Sequence, residues 1–239
     1  LYEKPCWFLR LRRSDGATGL GEVSFIPGLS LEDPEEIEIK LDHICKLISR
    51  GELDPGQFLP ALPGIQFALE CAMLDLEGEG QQLLFPSAFT EGSEGIPING
   101  LIWMGDLESM QQQIEEKIVQ GFRIIKIKVG ALDMEEEMIL LSFLRSRFGN
   151  EISEIRLDAN GAWKPEEAIR KLERFARFGI HSVEQPIAPG QWEAMAQVCR
   201  ESPVPVALDE ELIGVDPSGK GRDMLHMIRP DYIILKPGL

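Results

Sequence analysis

The sequence is poor in cysteine, histidine and aromatic residues, with 4 Cys, 3 His and 7% Phe, Trp and Tyr. Cys6, Cys45, Cys71 and Cys199 lie far apart and form no C-x-x-C pair. Neither a disulfide framework nor a cysteine zinc site is therefore indicated, and we expect a reducing, cytoplasmic compartment.

Positive charge and long apolar runs are also scarce. The 24 Lys and Arg against 40 Asp and Glu give a formal net charge of −16, which disfavours nucleic acid and anionic lipid as partners. No apolar run approaches the roughly 18 residues of a membrane span. We therefore expect a globular protein whose partner is a small molecule. Because the chain starts at Leu1 rather than Met and ends just after a strand-like run, we also expect residues to be missing at both ends.

Residues 1–90 predict a small α+β domain. Strand-like residues on both sides of the Ser14–Gly16 turn signal predict a hairpin over Cys6–Ser24. Apolar spacing predicts helices over residues 33–49, with Asp33 as cap and Pro34 in the first turn, and over residues 64–77. Residues 78–95 are rich in Gly, Glu and Ser and have the composition of a linker.

Residues 91–239 alternate short β-branched runs with amphipathic segments. The predicted strands cover residues 96–100, 124–129, 154–158, 181–184, 206–209 and 232–236, and the predicted helices cover 107–120, 134–148, 165–178, 191–201 and 222–227. Repeated strand–helix units predict a parallel α/β sheet, either doubly wound or closed into a (β/α) barrel.

Charged residues at the ends of successive strands favour the barrel. They are Lys126 with Lys128, Asp158, Glu184, Asp209 and Lys236, and from Lys128 onward they are separated by 30, 26, 25 and 27 residues. Each separation is about one strand–helix unit, so in a barrel all of them would surround one mouth, whereas a doubly wound sheet reverses its strand order. Only six of the eight strands of a closed barrel are recognisable.

Lys126 and Lys128 are two residues apart on one predicted strand, so both side chains point to the same face. A lone K-x-K pattern is usually a solvated edge. Within a parallel series, however, two inward lysines need a reason. Neighbouring cations depress each other's pKa, which suits a lysine base.

Asp158, Glu184 and Asp209 come from three adjacent strands. Each alone could cap the following helix. Together at one mouth they fit a hard dication such as Mg²⁺, which prefers carboxylate oxygens. Because no histidine lies at a strand end, zinc is not expected. Lys236 ends the sixth strand, opposite the second strand of an eight-stranded ring.

Five ordered motifs resemble those of the enolase superfamily, muconate-lactonising subgroup. They are Ile125–Gly130 (IKIKVG), Arg156–Trp163 (RLDANGAW), Val183–Pro186 (VEQP), Ala207–Glu210 (ALDE) and Leu235–Pro237 (LKP). The resemblance implies a (β/α) barrel, here apparently incomplete, over residues 91–239. It also implies that residues 1–90 form an α+β capping domain without its extreme N-terminus.

The resemblance implies the following roles. Asp158, Glu184 and Asp209 would bind Mg²⁺, which would hold the carboxylate of a small-molecule substrate. Lys128 would remove the proton beside that carboxylate, with its pKa depressed by Lys126, which would also contact the carboxylate. Lys236 would face the intermediate as a cation.

Neighbouring residues receive supporting roles in the same resemblance. Arg156 and Asn160 flank Asp158 by two residues and would give electrostatic support, while Glu210 would orient a neighbouring cation. Pro27, Gly28 and Ser30 belong to a capping segment, Gly21–Ser30, similar to that of a lyase branch that eliminates water in menaquinone biosynthesis. The segment departs from that branch at Phe25 and Ile26.

Two other functions remain open. A dipeptide epimerase of the same superfamily would use both opposed lysines as bases, and an Asp-x-Asp motif near an eighth strand would identify it. A non-catalytic, metal-stabilised binding protein is a third reading. The five polar strand ends argue against it, because unneutralised they would destabilise the fold.

Overall fold

The computed structural model describes residues 3–57, 59, 61–149, 152–216 and 219–239. The chain divides into two compact units: Leu1–Ile96 with Lys236–Leu239, and Pro97–Leu235. The predicted boundary between residues 90 and 91, with Lys236–Leu239 in the second domain, stays a prediction.

The first unit consists of a hairpin and two helices. Strands β1 (Cys6–Arg12) and β2 (Thr18–Ser24) pair antiparallel, as predicted. Helices α1 (Ile37–Ser49) and α2 (Pro63–Glu77) join them around one apolar core. The buried residues of this core are Leu9, Val23, Ile37, Ile44, Ile65, Ala68, Leu69 and Ala72.

Two glycines of β2 allow α2 to approach the hairpin. A Cβ at Gly19 would lie 2.0 Å from the Ala72 carbonyl oxygen, and one at Gly21 would lie 1.8 Å from that of Ala68. Both distances are below any van der Waals contact. The glycines therefore determine how closely strand and helix pack.

The predicted start of α1 is wrong. The helix begins at Ile37 with Glu36 as its N-terminal flanking residue. The Asp33 carboxylate instead accepts a hydrogen bond from Glu35 N at 2.9 Å, and Glu36 N donates to Asp33 O at 3.1 Å. Asp33 thus closes a separate turn before the helix. The segment 78–95 contains turns and bends only, in agreement with its predicted linker character.

The second unit is a six-stranded parallel sheet with helices between its strands. The strands are β3 (Gly100–Ile102), β4 (Ile124–Lys128), β5 (Glu154–Asp158), β6 (Ser182–Glu184), β7 (Val206–Leu208) and β8 (Tyr232–Ile233). They neighbour one another in sequence order. This is the order of a (β/α) barrel and excludes the strand reversal of a doubly wound sheet.

Among the described residues, five α-helices and a short 3-10 helix, Glu210–Leu212, connect these strands, and the five α-helices were predicted. They are α3 (Leu107–Val119), α4 (Met134–Phe148), α5 (Pro165–Ala176), α6 (Trp192–Glu201) and α7 (Lys220–Ile228). Local chemistry accounts for the starts of α3, α4 and α5. The Asp106 and Asp133 carboxylates accept from the amides of Ser109 and Glu136, and Pro165 begins α5.

The first strand of this sheet lies later than predicted, at Gly100–Ile102 rather than residues 96–100. Ile96 and Ile98 are exposed, and Pro97 between them has no N–H for a strand ladder. In the part of the chain that the structure describes, no helix is long and apolar enough to cross a membrane.

Candidate active site at the carboxyl ends of the strands

Three buried carboxylates lie at one edge of the parallel sheet. Asp158 and Glu184 end β5 and β6 and are register partners. Asp209 follows β7 directly, and its carboxyl group hydrogen-bonds with that of Glu184. The parallel sheet brings together these three side chains because the carboxyl ends of its strands share an edge.

The positive charge near Glu184 does not offset the burial of its carboxyl group. Burial raises the pKa of Glu184 to about 8, the charge of Asp158 and the contact with Asp209 add to the rise, and Lys126 only partly offsets it. Burial also acts to raise the pKa of Asp158. Hydrogen bonds from Lys126 and Lys128 outweigh it and leave that pKa below its ordinary value.

The two lysines of β4 point to the carboxylate side of the strand, whereas Ile125 and Ile127 are buried on the other side. Lys126 Nζ lies 2.8 Å from Asp158 Oδ2 and 2.7 Å from Glu184 Oε2. Lys128 Nζ lies 2.6 Å from Asp158 Oδ2. The predicted orientation of the K-x-K pair is therefore confirmed.

The expectation that the two ammonium groups lower each other's pKa is wrong for Lys126. Burial acts to lower the pKa of Lys126, but the hydrogen bonds to Asp158 and Glu184 outweigh burial and raise it above its ordinary value. The reason is that the Lys126 ammonium group contacts two carboxylates.

Asn160 links Lys128 to Glu210, which lies just after β7. Its Oδ1 accepts from Lys128 Nζ at 2.7 Å, and its Nδ2 donates to Glu210 Oε1 at 2.8 Å. Its backbone N donates to Asp158 Oδ1 at 3.1 Å. Glu210 thus contacts an amide rather than the cation expected for it, and it reaches Lys128 only through Asn160.

Arg156 lies beside Lys126 in the strand register. Its guanidinium donates to Glu154 Oε2, with Nη2 at 2.8 Å and Nε at 3.1 Å. Glu154 is at the opposite end of β5 from Asp158. The electrostatic support of Asp158 by Arg156 stays a prediction.

Four other predicted site residues belong to the first unit, and their roles stay predictions. Pro27, Gly28 and Ser30 form a turn in which Leu29 N and Ser30 N donate to Ile26 O, and Ser30 Oγ accepts from Ile26 N. Gly28 has φ +80°, a conformation that favours glycine. Lys236 does not end the sixth strand as predicted, because β8 ends at Ile233. The Lys236 carbonyl accepts from Leu239 N at 2.9 Å.

The carboxylates could bind a dication, although no three Asp, Glu, His or Cys side chains of the described residues are arranged as a ready metal cage. Their oxygens bind the two ammonium groups instead. The set nevertheless fits Mg²⁺ chemically, since all three donors are buried carboxylates and the raised pKa of Glu184 shows that its ionised form lacks sufficient positive charge nearby.

Three residues with contacts at this edge were not predicted. The ring of Trp103, which follows β3, lies with its centroid 5.5 Å from Lys128 Nζ. Trp103 was missed because the predicted strand ends at residue 100, two residues before the end of β3. Gln185 and Glu211 form a buried hydrogen-bonded pair. Gln185 lies in the VEQP motif directly after Glu184, and Glu211 lies two residues after Asp209.

Comparison with known proteins defines the class. Residues 109–218 match the family model "Enolase C-terminal domain-like". The chain is 43% identical to the o-succinylbenzoate synthase of Desulfotalea psychrophila, covering 100% of this chain and 73% of that protein. A MenC crystal structure from the same organism gives a TM-score of 0.83 at 42% identity, over 99% of this chain and 74% of that one.

Two more distant relatives bear on cofactor and reaction. The o-succinylbenzoate synthase of Thermosynechococcus elongatus, solved with Mg in its active site, gives a TM-score of 0.76 at 27% identity, over 97% of this chain and 68% of that one. The L-Ala-D/L-Glu epimerase of Bacillus subtilis is 27% identical, over 89% of this chain and 61% of that protein.

The chain therefore belongs to the enolase superfamily, and the predicted fold class is confirmed. Within that superfamily its branch is that of the o-succinylbenzoate synthases, which are hydro-lyases.

Proposed function

We propose that this protein is a Mg²⁺-dependent lyase of the cytoplasm. It dehydrates 2-succinyl-6-hydroxy-2,4-cyclohexadiene-1-carboxylate to o-succinylbenzoate in menaquinone biosynthesis. The observation that carries the proposal is the contact of Lys126 and Lys128 with the buried strand-end carboxylates, in a chain 43% identical to a synthase of this name. The expected partner is a small carboxylate, and neither nucleic acid nor a membrane is required.

Asp158, Glu184 and Asp209 would bind the metal through carboxylate oxygens. Bound there, Mg²⁺ would hold the substrate carboxylate and stabilise the negative charge that develops on it as the adjacent proton is removed.

Lys128 is the proposed base. Its Nζ takes the proton from the carbon beside the carboxylate as the C–H bond breaks. It then returns that proton to the departing hydroxyl on the same face, so that the C–O bond breaks and water leaves. Asn160 Oδ1, 2.7 Å away, and Asp158 Oδ2, 2.6 Å away, orient the amine. Lys126 supplies a fixed positive charge beside Asp158 and Glu184.

Arg156 and Asn160 support the carboxylates in this proposal, and Pro27, Gly28 and Ser30 contact the substrate. Lys236 contributes positive charge on the opposite face and does not move a proton. These assignments follow from the family resemblance.

A dipeptide epimerase is the second candidate, because the chain is also 27% identical to the Bacillus subtilis epimerase. The higher identity to the synthase favours dehydration.

The test is to incubate the full-length protein with Mg²⁺ and follow o-succinylbenzoate formation, alongside deuterium exchange into L- and D-configured dipeptides. We expect rapid formation of the aromatic product. Exchange into dipeptides without any o-succinylbenzoate would overturn the synthase assignment and support the epimerase.

A further inference from the structure

Gln185 follows directly after Glu184 and is 0% exposed. Its backbone has φ +40°, which is unusual for a residue with a side chain. Asn160, two residues after Asp158, has a similar φ of +44°. Strained backbone of this kind persists only where surrounding contacts determine it, and it concentrates at functional sites.

All four hydrogen-bonding positions of the Gln185 amide are used. Oε1 accepts from Asp209 N and Glu211 N, each at 3.1 Å. Nε2 donates to Ile187 O at 3.0 Å and to Glu211 Oε2 at 3.2 Å. A fully satisfied buried amide has one orientation, so it fixes the backbone atoms that it contacts.

The backbone of Gln185 makes two further connections. Its N donates to Ala207 O at 2.9 Å, and its O accepts from Gly161 N at 2.7 Å. Gly161 is three residues after Asp158, and Ala207 is two residues before Asp209. Gln185 directly follows Glu184 and binds backbone atoms close to both Asp158 and Asp209 in sequence. One residue therefore connects the chain next to all three carboxylates.

Glu211 completes the network from the other side. It is 4% exposed, and its Oε1 accepts from Gly190 N at 2.8 Å while Oε2 faces Gln185. Asp209 has φ −130° and ψ −82°, outside the helical and extended regions. Its backbone conformation is thus maintained by the hydrogen bond to Gln185 Oε1.

We infer that Gln185, with Glu211 as its buried partner, is the positioning residue that sets the spacing of Asp158, Glu184 and Asp209 for a divalent cation. The inference rests on the proposed function, because it assumes that these carboxylates bind the metal. Gln185 itself contacts neither substrate nor metal. It acts through the backbone of the segments that carry the ligands.

The test measures binding of Mn²⁺ alone, as a probe for Mg²⁺, by electron paramagnetic resonance of the free ion. The variant Gln185→Met keeps the side-chain length and removes all four side-chain hydrogen bonds. We expect its Kd for Mn²⁺ to rise at least about 10-fold, as for other residues that orient metal ligands. The matched control is Gln191→Met, because Gln191 makes a single side-chain bond, to Ala188 O in the same connection. Its Kd should stay within about 2-fold of wild type.

Two further variants separate an effect of ligand positioning from an effect of charge alone. Gln185→Glu adds a negative charge near the carboxylates, which by electrostatics alone would tighten Mn²⁺ binding. We expect weaker binding, because the new carboxylate faces Glu211 and loses the donor to it. Adding Glu211→Gln restores a donor–acceptor pair at unchanged net charge. The double variant should therefore recover most of the lost affinity.

The outcomes are distinct. If wild-type protein does not bind Mn²⁺, the metal site of the proposed function fails, and the inference fails with it. If wild type binds and a folded Gln185→Met binds equally well, only the inference is overturned. Thermal unfolding identifies variants that do not fold. If Gln185→Met does not fold, the comparison of Gln185→Glu with the double variant tests the inference. Equal Kd values for Mn²⁺ in these two variants would overturn it.

Discussion

Lys126 bridges to Glu184 across 58 residues of sequence, with its Nζ 2.8 Å from Oε1 and 2.7 Å from Oε2. The same ammonium group lies 2.8 Å from Asp158 Oδ2. It therefore neutralises part of the charge of two carboxylates that are register partners on neighbouring strands. The shared ammonium group thus reduces the cost of burying two acidic side chains at one edge of the sheet.

The first prediction concerns Glu184→Gln. Removing one of three carboxylate charges should weaken Mn²⁺ and Mg²⁺ binding at least about 10-fold and abolish turnover, because charge and ligand number determine affinity for hard dications. Titration with Mn²⁺ and a dehydration assay measure the two effects. Glu154→Gln is the control, since Glu154 begins β5 at the opposite end from Asp158. Full activity of the wild type after treatment with EDTA would contradict the metal assignment.

The second prediction separates Lys128 from Lys236. Lys128→Ala should lose at least ~10² in kcat, as expected for a general base. Lys236→Arg keeps a positive charge that does not readily release its proton, so it should retain measurable dehydration. An epimerase needs a base on each face. Complete loss of proton exchange from one enantiomer of a dipeptide in Lys236→Arg, with exchange from the other preserved, would contradict the lyase roles.

The sequence predicted most of the second unit because strand–helix alternation is a strong local signal. The helix over residues 134–148 and the strand over residues 154–158 agree with the structure at both ends. The strand over residues 96–100 was wrong, because two isoleucines flanking Pro97 have the composition of a strand without the backbone donor. Because of that error, Trp103, which directly follows the observed strand, was not predicted as a site residue.

The carboxylates could be predicted because parallel strands bring their ends to one edge. Their supporting network could not. The sequence around Gln185 does not show whether its amide is exposed to solvent or buried in a network. Glutamine is also not a residue type that indicates a left-handed φ. Asp33 is likewise a residue type that caps helices, but its carboxylate accepts a hydrogen bond from Glu35 N before the helix begins.

The third prediction concerns packing in the first unit. Gly21→Ala places a methyl group 1.8 Å from the Ala68 carbonyl oxygen, so β2 and α2 must separate. We expect a loss of about 1–3 kcal/mol in the free energy of unfolding, as for overpacked cores. Gly95→Ala is the control, because a Cβ there has open space and ordinary backbone geometry. Equal urea midpoints for the two variants would contradict the close approach.

The fourth prediction concerns the pH dependence of stability at Glu137, a buried residue of α4. Its Oε1 accepts from Gly130 N, and its Oε2 has no hydrogen-bond partner among the described residues. Burial raises the pKa of Glu137 above the ordinary value of 4.5. Below pH 4.5 the group is protonated in both folded and unfolded chains and costs nothing. As the pH rises past 4.5 the unfolded chain ionises first, so the folded state loses stability until the folded pKa is passed.

Glu137→Gln removes this ionisation while its amide oxygen can still accept from Gly130 N. The melting temperature of Glu137→Gln minus that of wild type should therefore be larger at pH 8 than at pH 4. Glu173→Gln, an exposed position on α5, is the matched control and should show no such trend. Thermal unfolding of all three proteins across this range is the measurement. A difference between Glu137→Gln and wild type that stays constant with pH would show that Glu137 ionises equally easily in the folded and unfolded chains.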